Sequence, residues 1–173
     1  MAYISENKQI DSMETNGHKI IFLDFDGVMD TLRYFDILES KGRSICDKYG
    51  SIFDPICVDN LRHIIDVTNA CIVVSSSWKY FMSLQDLEEM WKERALPGEV
   101  IGMTPFELRN HRGYEIEAWL DMQEQKPEYV IIDDLPQEEF NKDQISHLAI
   151  AHPQNGLDIV TAKRAIEILT NKS

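Results

Sequence analysis

Residues 19–30 read KIIFLDFDGVMD. Four apolar residues, Ile20 to Leu23, run into two carboxylates one residue apart, Asp24 and Asp26, and then into Gly27. A short, continuous apolar run bounded by a turn signal reads as a strand covered on both faces. Two like charges placed so close repel each other and lose hydration on packing. The stretch is therefore either a solvated turn after a strand or a strand end whose charges are compensated from elsewhere in the fold.

Similar runs recur along the chain: ACIVVSSS (70–77), EVIGM (99–103), EYVIIDD (128–134) and HLAIA (147–151). Each has the length of a strand, and most are rich in Ile and Val. Helical patterns lie between them. Asp54 and Pro55 form an N-cap and first-position pair, with Phe53 and Val58 at the staple positions and Val58, Leu61, Ile64 and Ile65 on one apolar face. Ser83 opens a second helix that carries Leu84, Leu87, Met90 and Trp91. A third, over GYEIEAWLDM, carries Ile116, Trp119 and Leu120, and Asp158 caps the last one. Alternating strands and helices predict an α/β fold, a mostly parallel five-stranded sheet with helices on both faces. Residues 1–17 are polar and offer little to bury, so they read as a flexible lead-in to a single domain over 18–173.

In a sheet of this kind the ligand site lies beyond the carboxyl ends of the strands. The first strand brings Asp24, Asp26 and Gly27 there, the second Ser75, Ser76, Ser77, Trp78 and Lys79, and the fourth Asp133 and Asp134. So many carboxylates in one crevice raise one another's pKa unless a cation sits among them. An oxygen-rich site suits Mg²⁺.

With these residues in order, the sequence resembles the haloacid dehalogenase (HAD) superfamily of phosphohydrolases over about residues 19–170. Its first motif, D-x-D-G after an apolar strand, reads Asp24-Phe25-Asp26-Gly27. Its second, a Ser or Thr ending a strand, reads Ser75. Its fourth, an acidic pair, reads Asp133-Asp134. The third motif is a Lys or Arg. Arg112 opens the helix before the acidic strand and stands at the right end of the sheet, whereas Lys126 stands at the wrong end and Lys79 is the rival. An arginine in this place keeps the charge and changes the geometry.

The resemblance implies a three-layer α/β/α, Rossmann-like fold and an Mg²⁺-dependent phosphomonoester hydrolase. In that family pattern Asp24 is the nucleophile that forms an aspartyl-phosphate, and Asp26 is the general acid and then base. Ser75 hydrogen-bonds a phosphate oxygen, and Arg112 stabilises Asp24 and the transferring phosphoryl group. Mg²⁺ is held by the Asp24 carboxylate, the Asp26 backbone carbonyl and Asp133, with Asp134 helping directly or through water. Gly27, Ser76 and Lys79 are the candidate substrate-binding residues, Gly27 because it lets phosphate approach backbone amides. SSSWK and RGYEIEAWL also resemble small bacterial HAD-like domains, some related to domains of nucleic-acid repair proteins.

The interval from Asp30 to Phe53 is too short for a large cap domain, so a minimal cap is expected. Residues 30–52 would form a local flap in which Arg33, Tyr34, Phe35, Lys41 and Arg43 are candidate substrate contacts. A HAD-like module that binds phosphate without turnover is the alternative. A phospho-acceptor receiver domain places its acidic pair at the first strand and its acceptor at a middle one, unlike the order here. Asp26 and Gly27 follow the phosphatase rather than the dehalogenase pattern.

Composition narrows the partners. The chain has 173 residues, 43% of them hydrophobic, enough for a core, and 17 Lys and Arg against 30 Asp and Glu give a net charge of −13. That balance disfavours a broad nucleic-acid face and anionic membranes, and leaves a small phosphorylated substrate. Such a substrate needs only one local positive site, whereas a nucleic-acid end is disfavoured by the acidic charge without being excluded. Cys46, Cys57 and Cys71 form neither a disulfide framework nor a zinc pattern, and Cys71 reads as a buried small side chain. No apolar stretch reaches a membrane span, so a cytoplasmic setting is expected.

Overall fold

The computed structural model describes residues 18–105 and 111–171. The lead-in over 1–17 lies outside them. Five parallel strands form the sheet in the order β5-β4-β1-β6-β7: β1 (Ile20–Leu23), β4 (Cys71–Val74), β5 (Val100–Met103), β6 (Tyr129–Asp133) and β7 (Leu148–Ile150). These are the five apolar runs of the sequence. β1 takes the centre because all four of its side chains are fully buried, Ile21 and Leu23 toward one face and Ile20 and Phe22 toward the other. Each such side chain contributes about 1.5–3 kcal/mol of transfer free energy. A strand with no polar face has no stable place at an edge.

Helices α2 (Pro55–Thr68), α3 (Leu84–Glu93) and α5 (Ile159–Thr170) pack on the face of Ile21 and Leu23. Helix α4 (Arg112–Asp121) and the turns over 137–147 cover the opposite face through Ile116, Trp119 and Phe140. The arrangement is a three-layer α/β/α, Rossmann-like sandwich. The caps stand where the sequence places them. Asp54 accepts from the Ile56 amide at 3.0 Å, Ser83 and Asp86 form a reciprocal capping box, and Asp158 accepts from the Val160 and Thr161 amides.

Two features depart from the sequence expectation. Residues 30–52 fold as helix α1 (Leu32–Ser40) followed by a short hairpin of β2 (Cys46–Asp47) and β3 (Gly50–Ser51). Helix α1 buries little, Leu38 being its one fully buried residue, and its Thr31 cap accepts from the Tyr34 amide. Cys71 is half-buried at the edge of the second core, and the fully buried cysteine is Cys57 on α2. Among the described residues no helix is long and apolar enough to cross a membrane.

Strand register decides the position of the site. Leu23 pairs with Val74 on one side and with Ile132 on the other. The next residue of each strand is Asp24, Ser75 and Asp133, so these three come level at the carboxyl edge. Backbone bonds hold them there, Ser75 N–H to Leu23 O at 2.9 Å and Asp24 N–H to Ile132 O at 3.0 Å. The chain runs outward from β1 to β4 and β5, then returns to β6 on the other side of β1. The crevice at that reversal is where open α/β sheets bind ligands.

Candidate active site

Asp24 leaves β1 buried, 5% exposed, and the Phe25 amide donates to Oδ1 at 2.8 Å. The chain then turns sharply. Gly27 has φ +74°, and a Cβ there would run into the Asp134 carboxylate, so the turn admits only glycine in this conformation. The Gly27 amide donates to Asp30 Oδ1 at 2.8 Å and so closes the turn itself.

Arg112, at the start of α4, is the cation among the acids. Its Nη2 lies 3.6 Å from Asp24 Oδ2, its Nε lies 3.4 Å from Asp133 Oδ2, and its Nη1 donates to Ser75 Oγ at 3.2 Å. Burial works against the guanidinium charge, but Asp133 and Asp24 outweigh it and raise its pKa. Lys79 is differently engaged. It is 5% exposed, paired with Glu115 at 2.6 Å and donating to Thr104 Oγ1 at 2.9 Å, and burial lowers its pKa against the pull of Glu115.

Asp24, Asp26, Gly27, Asp134 and Arg112 line one cavity of about 370 Å³. Lys79 lines a neighbouring cavity of about 310 Å³ that shares Ser77, Arg112 and Leu135 with the first. Ser75 and Ser76 are fully buried and line neither. Ser75 supports Arg112, and Ser76 caps the turn over 77–80 and sits near enough to Asp24 to oppose the rise in its pKa. Ser77 is the serine that faces the first cavity. Of the flap candidates, Phe35 lines that cavity, whereas Arg33 is ion-paired with the buried carboxylate of Asp54. Tyr34, Lys41 and Arg43 are not among the described residues that line it.

Two residues at the site carry no sequence signal strong enough to single them out. Trp78 packs in the core against Phe25 and Phe53, yet its Nε1–H donates to Asp26 Oδ1 at 2.9 Å, with Ser77 Oγ 3.4 Å from the other oxygen. Asp30 is buried beside Asp26. A carboxylate three residues after a turn glycine is its one trace in the sequence.

The charges ask for a cation. One carboxylate oxygen each from Asp24, Asp133 and Asp134 lies within 4.8 Å of the others. Burial raises the pKa of Asp24 against the pull of Arg112, and burial also raises that of Asp134. Burial pushes Asp133 up to about 7, opposed by Arg112 and reinforced by Asp24. Burial likewise takes Asp30 to about 7, opposed by the Gly27 amide and reinforced by Asp26. Asp133 Oδ2 is buried and accepts no hydrogen bond among the described residues; Arg112 Nε is near it but not aligned to donate. An orphaned buried carboxylate oxygen facing two further carboxylates is a hard-oxygen donor set that fits a divalent cation such as Mg²⁺.

A parallel sheet with this reversal, and with acids at two neighbouring strand ends bridged by one cation, is the architecture of HAD-like hydrolases. The family model for the HAD domain in Swiss Army Knife RNA repair proteins matches residues 20–162, and the chain belongs to that family. No curated protein and no solved structure matches it.

Proposed function

We propose that the protein is a Mg²⁺-dependent phosphomonoester hydrolase acting through an aspartyl-phosphate on Asp24. The observation that carries this reading is the level placement of Asp24 and Asp133 at adjacent strand ends, with Arg112 between them. Asp24 would attack phosphorus, its carboxylate held by the Phe25 amide and Arg112. Asp26 would protonate the departing oxygen and then take a proton from the attacking water, held meanwhile by Trp78 and Ser77. Arg112 would offset charge on the transferring group, braced by Ser75. Asp24, the Asp26 carbonyl, Asp133 and Asp134 would hold Mg²⁺, which when bound neutralises charge between nucleophile and phosphate.

Helix α1 and the β2–β3 hairpin would serve as a minimal cap on a single domain in an aqueous, reducing compartment. The description of the family brings a nucleic-acid terminus into the substrate class. The net charge of −13 argues that the protein grips the end rather than a length of strand. Hydrolysis of an aryl phosphate with Mg²⁺ tests the reading. Asp24→Asn is expected to lower kcat about a thousandfold or more, and activity surviving that change would overturn the nucleophile.

A further inference from the structure

If Asp24 attacks phosphorus in line and Asp26 protonates the leaving oxygen, the leaving group sits at the mouth of the first cavity, on the Asp26 side. The same cavity is lined by Leu32 and Phe35 of α1, by Pro153, and by Leu135 after β6. Leu32 is 53% exposed, so an apolar side chain stands in water beside a site built of carboxylates. The wall is held in place. Leu32 N–H donates to Pro153 O at 3.1 Å, Thr31 Oγ1 donates to Asp54 Oδ2 at 2.7 Å, and Arg33 pairs with the same carboxylate.

We infer that this mouth is a specificity cleft for one nucleoside, with Phe35 and Leu32 as the apolar faces that receive the base. The inference rests on the phosphoryl transfer proposed above, which decides where the leaving group lies. The chemistry of the lining excludes the alternatives. Arg112 is the one cation among the described lining residues, and it already serves Asp24 and Asp133. A second phosphate held inside the cleft would lose hydration with nothing to compensate it, so the next phosphate of an RNA end would lie outside the cleft, in water. A polyol such as glycerol would leave the apolar wall unmatched. A nucleoside presents a flat face to Phe35, and its hydroxyl and amino donors meet acceptor oxygens of the lining, Ser77 Oγ among them. A bare aryl ring would satisfy the wall but none of these acceptors.

Affinity is best read without turnover, on the Asp24→Asn variant with Mg²⁺ in a calorimeter. Adenosine 3′- or 5′-monophosphate is expected to bind about tenfold or more tightly than glycerol phosphate or phenyl phosphate. Adding Phe35→Ala should reduce that preference to about twofold or less. A short oligoribonucleotide with the same terminal phosphate separates the two sources of a nucleoside. Binding tighter than the mononucleotide points to an RNA end, and weaker binding points to a free nucleotide. Equal affinity for the nucleotides and glycerol phosphate overturns the cleft, as does a preference that survives Phe35→Ala. Because this measurement involves no hydrolysis, the cleft can fail while phosphatase activity stands, and the reverse.

Discussion

Trp78 joins two tasks at one residue. Its ring packs edge-on against Phe25 at 5.2 Å between centroids, and its indole N–H holds Asp26. Trp78→Phe keeps an aromatic ring and removes the donor. We expect kcat to fall about tenfold, the value of a hydrogen bond to a charged group, with KM changed about twofold at most. An unchanged kcat in steady-state kinetics would show that Asp26 needs no such support. Gly27 is constrained by φ +74° and by the Asp134 carboxylate beside it. Gly27→Ala should destabilise the protein by about 1–3 kcal/mol and weaken Mg²⁺ binding, since Asp134 must move. Denaturant melts and calorimetry with the metal check both. Asp24, Asp26, Asp133 and Asp134 were legible as strand-end acids, because a carboxylate ending an apolar run is locally anomalous. Trp78 was not, because a tryptophan near a strand end is an ordinary core residue until its N–H is followed across the fold.

Among the elements, the start of α4 and the turn over 77–80 bring two cations close to each other, and the structure separates their work. Arg112 meets Asp24, the proposed nucleophile, while Lys79 is buried with Glu115, their side chains 1% and 6% exposed. Removing one partner of such a pair leaves an uncompensated charge. Lys79→Met should lower stability by about 3–5 kcal/mol, and Lys79→Met with Glu115→Leu should recover most of it. The folded double variant is expected to retain kcat within about tenfold, against a loss of about a thousandfold for Arg112→Ala. The opposite ranking would assign the third-motif role to Lys79. Spacing alone left both open, since each stands near the carboxyl edge. Helix α1 was hidden for a different reason. It buries little, and it is pinned through Thr31 and Arg33 to Asp54, contacts with no period along the chain.

Across the whole molecule, burial of acids makes the metal-free fold sensitive to pH. Asp30 and Asp133 have folded-state pKa values of about 7 against 3.8 for the free group. Between those values the folded state binds more protons than the unfolded chain, so stability falls as pH rises through that window. The melting temperature of metal-free protein should drop by about several degrees from about pH 5 to about pH 7.5, and Mg²⁺ should restore it at the upper pH and have little effect at the lower. Asp133→Asn should flatten the metal-free slope, and a slope unaltered by that change would attribute it to net charge instead. The sequence by itself determined the five strands of the main sheet, four of the five helices, the caps of three of them and the acids at the strand ends. Those features follow from local periodicity, from capping chemistry and from charge set against apolar runs. Only the tertiary structure decided that Asp24, Ser75 and Asp133 stand level, that Arg112 bridges them, and that α1 lines the cavity with Leu32 and Phe35. Strand order and register are set by which buried faces fit together, and that matching joins residues with no relation along the chain.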